Sequence, residues 1–158
     1  AAKADWIDPR ELVEASVEEL QRGEQDAGAL QLEFAHDLPL VRGDAPQLQR
    51  VIVNLLENAF KFSPAGAPVS VAVRLGGGQV EIAVEDRGPG VDAEETERIF
   101  EPFYRSPGQG EMPGSGLGLA IARGLAQANG CKLTVAPGEG GGSRFVLALP
   151  VPAGGKRA

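Results

Sequence analysis

The sequence predicts an α+β fold, in which helices cover one face of a mixed β-sheet. Residues 69–75 and 80–85 are alternating, β-branched runs joined by three glycines, a pattern typical of an antiparallel hairpin. Two amphipathic helical runs, at residues 48–62 and 117–128, accompany this hairpin. Because helices and strands do not alternate strictly along the chain, the pattern argues against a doubly wound parallel sheet.

The first half of the chain is predicted to contain two helices and a strand. Residues 9–21 carry apolar side chains at helical spacing, and Gly23 is placed to end that helix. Residues 30–35 alternate between apolar and polar side chains and predict a strand. Asp44 is a suitable N-cap for the long helix, whose first turn tolerates Pro46. The buried face of that helix is predicted to consist of Leu48, Val51, Ile52, Leu55, Ala59 and Phe62.

The second half begins, after the hairpin, with a long irregular segment. Residues 87–113 are rich in glycine, proline and charge, with one short helical stretch at 93–100. A helix follows the glycines at 114–118, and residues 132–136 and 144–149 predict a last strand pair across a glycine-rich turn. The apolar face of this third helix is predicted to consist of Leu117, Ala120, Ile121, Leu125 and Ala128.

Composition places the 158-residue chain among single-domain globular proteins, with 42% apolar and 23% charged residues. The formal net charge is −7, and since a nucleic-acid backbone requires a basic surface, we expect no nucleic-acid partner. The only cysteine, Cys131, excludes an intrachain disulfide and a cysteine-rich metal site. No apolar run is long enough to span a membrane, so we expect no membrane contact by this chain. It does not begin with Met, and we expect it to be part of a longer protein.

A polar stripe lies beside the buried face of the long helix. Asn54, Asn58 and Lys61 stand at i, i+4 and i+7, and asparagine is a poor helix former. An amide oxygen can ligate Mg²⁺ while an ammonium group contacts a phosphate, so the stripe suits a metal-bound polyphosphate. A solvated helix face with two incidental asparagines explains the same residues equally well.

Asp86 directly follows a predicted strand and is followed by Gly88 and Gly90. A carboxylate at the end of a strand can accept a hydrogen bond from an exocyclic amine such as adenine N6, which would disfavour a keto group at that place. The glycines would let a ligand approach the backbone closely. On its own, an Asp-x-Gly-x-Gly segment is more commonly a plain turn.

Three glycines, Gly114, Gly116 and Gly118, precede the third helix. Free amides at a helix N-terminus, together with the helix dipole, form an anion site, and glycines let phosphates reach the backbone. The spacing matches neither the dinucleotide-binding fingerprint nor a P-loop. Tight helix–helix packing is the alternative explanation of these glycines.

Aromatic side chains interrupt the irregular segment between the two glycine motifs. We expect residues 99–104 to pack on the domain through their apolar side chains, and Arg105 to reach a phosphate. Residues 106–113, within a lid that spans 91–113, are expected to vary in conformation until a nucleotide binds. A purely structural loop is the alternative.

The four motifs follow one another in a distinctive order along the chain. Asn-x-x-x-Asn lies on a helix, Asp-x-Gly-x-Gly follows a strand, Phe-x-Pro-Phe-Tyr lies in a loop, and Gly-x-Gly-x-Gly precedes a helix. Together they resemble the N, G1, F and G2 boxes of bacterial sensor histidine kinases. Residues 5–150 look like the ATP-binding catalytic domain of these kinases, which belongs to the GHKL superfamily with gyrase, Hsp90 and MutL. Residues 37–44 and 55–59 are similar to the potassium-responsive sensor kinases.

The resemblance implies a fold, a domain extent and two cofactors. The implied fold is a two-layer α/β sandwich with a mixed sheet of five or more strands and three main helices on one face. Residues 1–150 would form one ATP-binding domain, and 151–158 a flexible tail. ATP and Mg²⁺ are the implied cofactors.

Residue roles follow from the same resemblance. Asn58 would ligate Mg²⁺, Asp86 would select adenine, and Ser143 occupies a place where the family often has Thr near adenine. The implied catalytic residues are Asn54, Glu57, Lys61 and Arg105. The implied nucleotide-binding residues are Asn54, Asn58, Lys61, Asp86, Gly88, Gly90, Tyr104, Arg105, Gly114, Ser115, Gly116, Leu117, Gly118, Leu119 and Ser143.

One segment departs from the family pattern, and another imitates a motif of a different domain. The segment Asn129-Gly130-Cys131 stands where the family commonly has His-Gly-Gly, and we expect Cys131 to be a packed, unreactive side chain because no cations surround it. His36 precedes Asp-Leu-Pro-Leu, which looks superficially like the box that carries the phosphorylated histidine. The Arg-Thr pair of that box is missing, so we expect His36 to be a loop histidine and the phosphoacceptor to lie on another domain.

The implied function is that of a histidine autokinase catalytic domain, which transfers the γ-phosphoryl group of Mg·ATP to a histidine of a dimerisation domain outside this chain. That domain and a response regulator are the implied protein partners, and the cytoplasmic side of a membrane-bound sensor is the implied location. A stand-alone ATPase would need a carboxylate where Asn54 stands, although Glu57 keeps this alternative open. A degenerate binding module is disfavoured because Asn58, Asp86 and the glycines are intact.

Overall fold

The computed structural model describes residues 4–23, 30–104 and 116–153 of the chain. Within them, a mixed five-stranded sheet carries three helices on one face, and the predicted α+β sandwich is confirmed. The elements are β1 (Asp5–Ile7), α1 (Pro9–Arg22), β2 (Leu30–Phe34), β3 (Val41–Gly43), α2 (Ala45–Phe62), β4 (Val69–Gly76), β5 (Gln79–Glu85), two single-turn 3-10 helices (Ala93–Glu95 and Arg98–Phe100), α3 (Gly118–Ala128), β6 (Lys132–Pro137) and β7 (Ser143–Pro150).

The five-stranded sheet has the order β2-β4-β5-β7-β6, with β2 parallel to β4 and the other neighbours antiparallel. The predicted hairpin of β4 and β5 is confirmed: Gly76 pairs with Gln79, so the loop between them has two residues. These residues, Gly77 and Gly78, have φ angles of 59° and 77°. Positive φ at both positions is the geometry that fits the twist of a two-residue hairpin and favours glycine.

The long helix α2 lies between α1 and α3 and supplies the centre of the core. Its N-cap is Asp44, as predicted, and the Asp44 carboxylate accepts a hydrogen bond from the Gln47 amide at 3.1 Å. Its apolar side chains pack against the inner face of the sheet. The fully buried side chains of this helix include Leu48, Val51, Ile52, Leu55 and Leu56.

The third helix differs from its prediction in its buried face. α3 begins at Gly118, and Gly116 lies in the loop before it. Its buried residues are Ala122 and Ala126, whereas Ile121 is 47% exposed and Ala128 is exposed. The predicted face was therefore wrong at these two positions. Small alanines allow α3 to approach its neighbours closely, and the bulkier side chains lie at the edges of the contact.

A two-stranded antiparallel sheet of β1 and β3 was not predicted. Ile7 pairs with Val41, and both side chains are buried in the hydrophobic core. At the other end of the chain, the Val151 amide donates a hydrogen bond to the Gly78 carbonyl at 3.1 Å, which anchors the first residue beyond β7. Among the described residues, no helix combines the length and the apolar character needed to cross a membrane.

Candidate nucleotide-binding site

Asp86, the residue after β5, is the most constrained polar group of the site. It is 3% exposed, and its Oδ1 accepts hydrogen bonds from the amides of Gly88 at 2.9 Å and Ser143 at 3.1 Å. The Asp86 amide in turn donates to the Ser143 carbonyl at 2.9 Å. Three backbone hydrogen bonds therefore fix both the position of this residue and the direction of its carboxylate.

The second carboxylate oxygen of Asp86 is the one available to a ligand. Oδ1 accepts both hydrogen bonds that the carboxylate receives from the described part of the chain, and Oδ2 accepts none there. Burial raises the pKa of this carboxyl group, and the hydrogen bonds from Gly88 and Ser143 oppose that rise. A buried acceptor with one oxygen held by the protein and one oxygen uncommitted is suited to an amine donor.

The loop from Asp86 to Gly90 fits tightly between two other elements. A Cβ atom on Gly88 would lie 2.7 Å from the carbonyl oxygen of Phe62, at the C-terminal end of α2. Gly90 has a φ angle of 82°, and a Cβ atom there would lie 3.0 Å from the Gly141 carbonyl oxygen. Packing and backbone conformation thus require both glycines, and their binding of a base stays a prediction.

The polar stripe of α2 contacts the start of α3. The amide Nδ2 of Asn54 donates to the Gly118 carbonyl at 3.1 Å, which joins two segments 64 residues apart. Asn58 and Lys61 are half-buried on the same helix, and Glu57 is exposed. The Lys61 ammonium nitrogen lies 5.2 Å from the centroid of the Phe62 ring. The stripe is therefore more than a solvated face at Asn54, whereas the roles of Asn58, Lys61 and Glu57 stay predictions.

Gly116 and Phe103 bring the loop with the aromatic side chains to the N-terminus of α3. Gly116 has a φ angle of 75°, and a Cβ atom there would lie 2.9 Å from Phe103 Cα. Its carbonyl accepts a hydrogen bond from the Phe103 amide at 2.9 Å. Leu117 has no side chain that could cap the first turn of α3, and a Cβ atom on Gly118 would meet nothing within 4 Å. No side chain within the described residues caps the first turn of α3, as expected of an anion site. Leu119 is half-buried in its first turn.

The aromatic segment is attached to α3 and to the sheet, as predicted, except at one residue. Phe100 is buried edge-on against Phe145, with ring centroids 6.2 Å apart. The Arg123 guanidinium lies 4.5 Å from the Phe100 centroid and 2.6 Å from a Glu97 carboxylate oxygen, and this ion pair lowers the pKa of Glu97. Phe103 is 69% exposed with a φ angle of 65°, so the expectation that it packs on the domain was wrong.

Tyr104 contacts the protein through its hydroxyl group. The hydroxyl donates to a Glu95 carboxylate oxygen at 2.7 Å, and this hydrogen bond raises the pKa of Tyr104. Contact of Tyr104 with a nucleotide stays a prediction. The predictions for Arg105, Gly114, Ser115 and residues 106–113 lie outside the described residues.

Two residues that could have been taken for reactive groups have structural positions. Cys131 is buried and its thiol lies 3.5 Å from the Asn129 carbonyl, so its prediction as a packed side chain is confirmed. Burial raises the pKa of the thiol to about 11, and its low reactivity stays a prediction. His36 lies exposed in the turn after β2, as expected of a loop histidine. Asn129 ties the end of α3 to the start of α2, because its Oδ1 accepts from the Asp44 amide at 2.8 Å.

Sequence reasoning missed the backbone partners of Asp86. Ser143 was predicted for its side chain, but its amide and carbonyl make the contacts with Asp86. Gly142, which was not predicted at all, is buried against Asp86. The run of three glycines before Ser143 is the sequence feature that could have indicated a close backbone approach.

This fold and site define a nucleotide-binding domain of one ATPase superfamily. Residues 43–153 match the family described as "Histidine kinase-, DNA gyrase B-, and HSP90-like ATPase", and the chain belongs to this family. Within it, the similar proteins are sensor histidine kinases, and the chain is a catalytic, ATP-binding domain of the sensor histidine kinase type. The family predicted from the order of the four motifs is therefore confirmed.

Individual similarities support this assignment. The chain is 39% identical to the alginate biosynthesis sensor protein KinB of Pseudomonas aeruginosa over 150 residues, which cover 95% of the chain and 24% of KinB. A solved structure of the mycobacterial sensor histidine kinase MprB superimposes with a TM-score of 0.78 at 30% identity and covers all of both chains. Full-length ShkA in complex with AMPPNP superimposes with a TM-score of 0.77 at 28% identity, over the whole chain and 32% of ShkA.

The chain therefore spans about a quarter of the length of the curated relative KinB. The resemblance to the potassium-responsive type stays a prediction, because relatives of different names match at comparable identity. One of them, the sensor protein KdpD of Escherichia coli, is 32% identical over 148 residues, which cover 94% of the chain and 16% of KdpD.

Proposed function

We propose that this chain binds Mg·ATP and presents its γ-phosphoryl group to a histidine on a dimerisation domain of the same protein. The observation that carries the proposal is the buried Asp86 carboxylate, whose Oδ1 is held by two backbone amides while Oδ2 is left for a ligand. A ring that presents an exocyclic amine, as adenine does at N6, would complete the hydrogen bonding of this group. A keto group at the same place would set two acceptors against each other.

The phosphate chain would extend from Asp86 towards the N-terminus of α3. The glycine at position 116 and the uncapped first turn at Gly118 offer backbone amides to an anion. Lys61 supplies a positive charge on the neighbouring helix, and only the phosphates of a nucleotide would respond to it. The structure of the similar protein ShkA in complex with AMPPNP supports a nucleotide ligand for this domain.

The donor set on α2 fits Mg²⁺. Asn58 is a half-buried amide on the stripe that faces α3, and Mg²⁺ takes oxygen ligands, retains several waters and is usually shared with substrate phosphates. One protein ligand therefore suffices when a triphosphate supplies others. When bound, the metal would neutralise charge on the phosphates during transfer.

Histidine phosphorylation is favoured over water as the phosphoryl acceptor. Asn54, which stands where a hydrolase would need a carboxylate base, is an amide whose Nδ2 is engaged with the Gly118 carbonyl. An amide cannot take the proton of an attacking water. In the proposed reaction the imidazole nitrogen attacks the γ-phosphorus, the bond to the bridging oxygen breaks, and ADP leaves. The imidazole proton passes to solvent.

The wider setting is part of the same proposal. A response regulator would receive the phosphoryl group from the histidine, and the domain would act on the cytoplasmic side of a membrane-bound sensor. The chain covers 24% of KinB and 28% of the MprB of Mycolicibacterium paratuberculosis, so the dimerisation domain would be supplied by another part of the protein.

The decisive experiment is transfer to a separate dimerisation domain. The chain is mixed with Mg·ATP labelled at the γ-phosphate and with a purified dimerisation domain from the same protein, and phosphohistidine is identified by its lability in acid. A dimerisation domain without its acceptor histidine is the control. Release of inorganic phosphate at the same rate with and without the acceptor would refute the kinase assignment in favour of an ATPase.

A further inference from the structure

The turn between β6 and β7 packs directly on the residues that carry Asp86. This glycine turn, defined as residues 138–142, closes with a hydrogen bond from the Gly138 amide to the Gly142 carbonyl at 2.7 Å. Four of its five residues are glycines. A two-stranded hairpin does not need that many, so their number calls for a local cause.

Gly142 has no room for a side chain, because Asp86 occupies the space. A Cβ atom on Gly142 would overlap the Asp86 carbonyl oxygen, and it would lie 2.6 Å from the Asp86 carbonyl carbon and 2.7 Å from Oδ1. Real Cβ atoms are essentially never that close to other atoms. Since the next residue, Ser143, makes two of the hydrogen bonds that fix Asp86, any shift at Gly142 is transmitted to the carboxylate.

Flanking contacts hold the glycine turn against the end of β5. A Glu85 carboxylate oxygen accepts a hydrogen bond from the Glu139 amide at 2.8 Å. On the opposite side of the loop, the Arg87 amide donates to the Ser63 hydroxyl at 3.0 Å, which attaches it to the end of α2. The loop from Asp86 to Gly90 is thus held from both sides, by α2 and by the glycine turn.

We propose that Gly142 is a positioning residue for purine selection: by bearing no side chain, it lets the β6–β7 turn set the direction of the Asp86 carboxylate. This inference rests on the proposed adenine-reading role of Asp86 and deepens it. The two ligand classes that the site would distinguish are 6-amino purines and 6-keto purines. Inosine triphosphate is the sharpest probe, because it differs from ATP only by the keto group in place of the amine and the proton on the adjacent ring nitrogen.

The test compares two alanine substitutions in the same turn. Gly142→Ala forces Asp86 to move, whereas Gly141→Ala introduces strain at a φ angle of 93° without a Cβ contact within 4 Å. For each variant, the dissociation constants of ATP and inosine triphosphate are measured by calorimetry. The ratio of the two constants gives the preference for ATP. Gly142→Ala should lower the preference for ATP by about tenfold, the effect of one misaligned hydrogen bond to a charged group. Gly141→Ala should leave that ratio within about twofold of the parent, even if the turn is less stable.

The ratio separates positioning from folding, since a general loss of structure weakens both nucleotides equally. Equal ratios in Gly142→Ala and the parent, or equal falls in both variants, would overturn the inference. If Gly142→Ala does not fold, Glu85→Ala removes the acceptor of the Glu139 amide and should lower the ratio in the same direction, and an unchanged ratio would then overturn it. A parent that shows no preference for ATP would instead contradict the proposed function itself.

Discussion

Replacing Asp86 with asparagine separates base recognition from stability. The substitution keeps the shape of the side chain, and an asparagine oxygen in place of Oδ1 can still accept hydrogen bonds from the amides of Gly88 and Ser143. That orientation puts the amide nitrogen where Oδ2 now stands. Two donors, the new NH₂ group and the exocyclic amine of adenine, would then face each other.

The expected loss of affinity follows from the hydrogen bond that is removed. A hydrogen bond to a charged group contributes about 1.5–3 kcal/mol, and leaving a donor unpaired in a buried site adds to the loss. At about 1.4 kcal/mol per factor of ten, ATP should bind roughly 10- to 150-fold more weakly. Inosine triphosphate, whose keto oxygen can accept from the new NH₂ group, should bind as well as in the parent or better.

The folded state should not lose stability through the same change. Because burial raises the pKa of Asp86, its protonated form is more favoured in the folded state than in the unfolded chain. Its contribution to stability is therefore fully present below the unfolded-state pKa near 3.8, and is lost as the pH rises through the raised folded-state value. At neutral pH the ionised carboxylate costs stability, and a neutral asparagine avoids that cost. The melting temperature of Asp86→Asn at pH 7 should equal or exceed that of the parent.

Calorimetric titration with ATP and inosine triphosphate, alongside thermal unfolding at pH 7, tests this account. Asp37→Asn is the matched control, because it makes the same chemical change at an exposed residue in the turn after β2. Its ATP preference should be close to that of the parent. Undiminished ATP affinity in Asp86→Asn would refute the adenine-reading role. A large fall in its melting temperature would show that the carboxylate serves the fold instead.

Four further predictions concern the phosphate end of the site and the core. Asn58→Ala should abolish the Mg²⁺-dependent part of ATP affinity and leave adenosine binding unchanged, as titrations with and without Mg²⁺ would show. Lys61→Ala should weaken ATP more than adenosine, since only phosphates sense its charge; equal effects on both ligands would contradict this. Cys131 should resist thiol reagents at pH 8 until the chain is denatured. The stability that its buried thiol contributes should be present below about pH 9.0 and lost as the pH rises through about 11, which denaturant unfolding at several pH values can measure. Arg123→Ala should destabilise the domain by about 0.5–1 kcal/mol through the lost contact with Phe100, and Arg123→Lys should recover part of it in denaturant unfolding.

Elements that are specified by nearby residues could be predicted from the sequence. The Asp44 cap, the hairpin of β4 and β5 and the apolar face of α2 as far as Ala59 each depend on side chains within a few positions. Phe62, which was predicted on that face, is half-buried. The pairing of β1 with β3 could not be predicted, because each strand has three residues and α1 and β2 separate them in the sequence. The face of α3 was misjudged for a related reason: its neighbours select small alanines, which carry little periodic signal of their own.

The site shows the same division between local features, which could be predicted, and contacts between distant segments, which could not. Asp86 was identifiable because a carboxylate at the end of a strand has a recognisable chemistry. Its fixation by the Ser143 amide, 57 residues further along the chain, depends on two strand ends that meet in the folded sheet. The hydrogen bond between Asn54 and the Gly118 carbonyl is equally non-local. No spacing rule within one segment can predict such contacts.

The two ends of the site should respond to mutation in opposite ways. At the base end, Asp86 is held by the backbone of Gly88 and Ser143, and removing side chains from its neighbours leaves those hydrogen bonds in place. Atoms added at Gly142, or a shift of the turn that Glu85 holds against β5, would disturb the Asp86 carboxylate. At the other end, the link between α2 and the start of α3 is made by the side chain of Asn54, so a truncation removes it. Purine selectivity should therefore be sensitive to enlargement at glycines, and triphosphate affinity to truncation on α2.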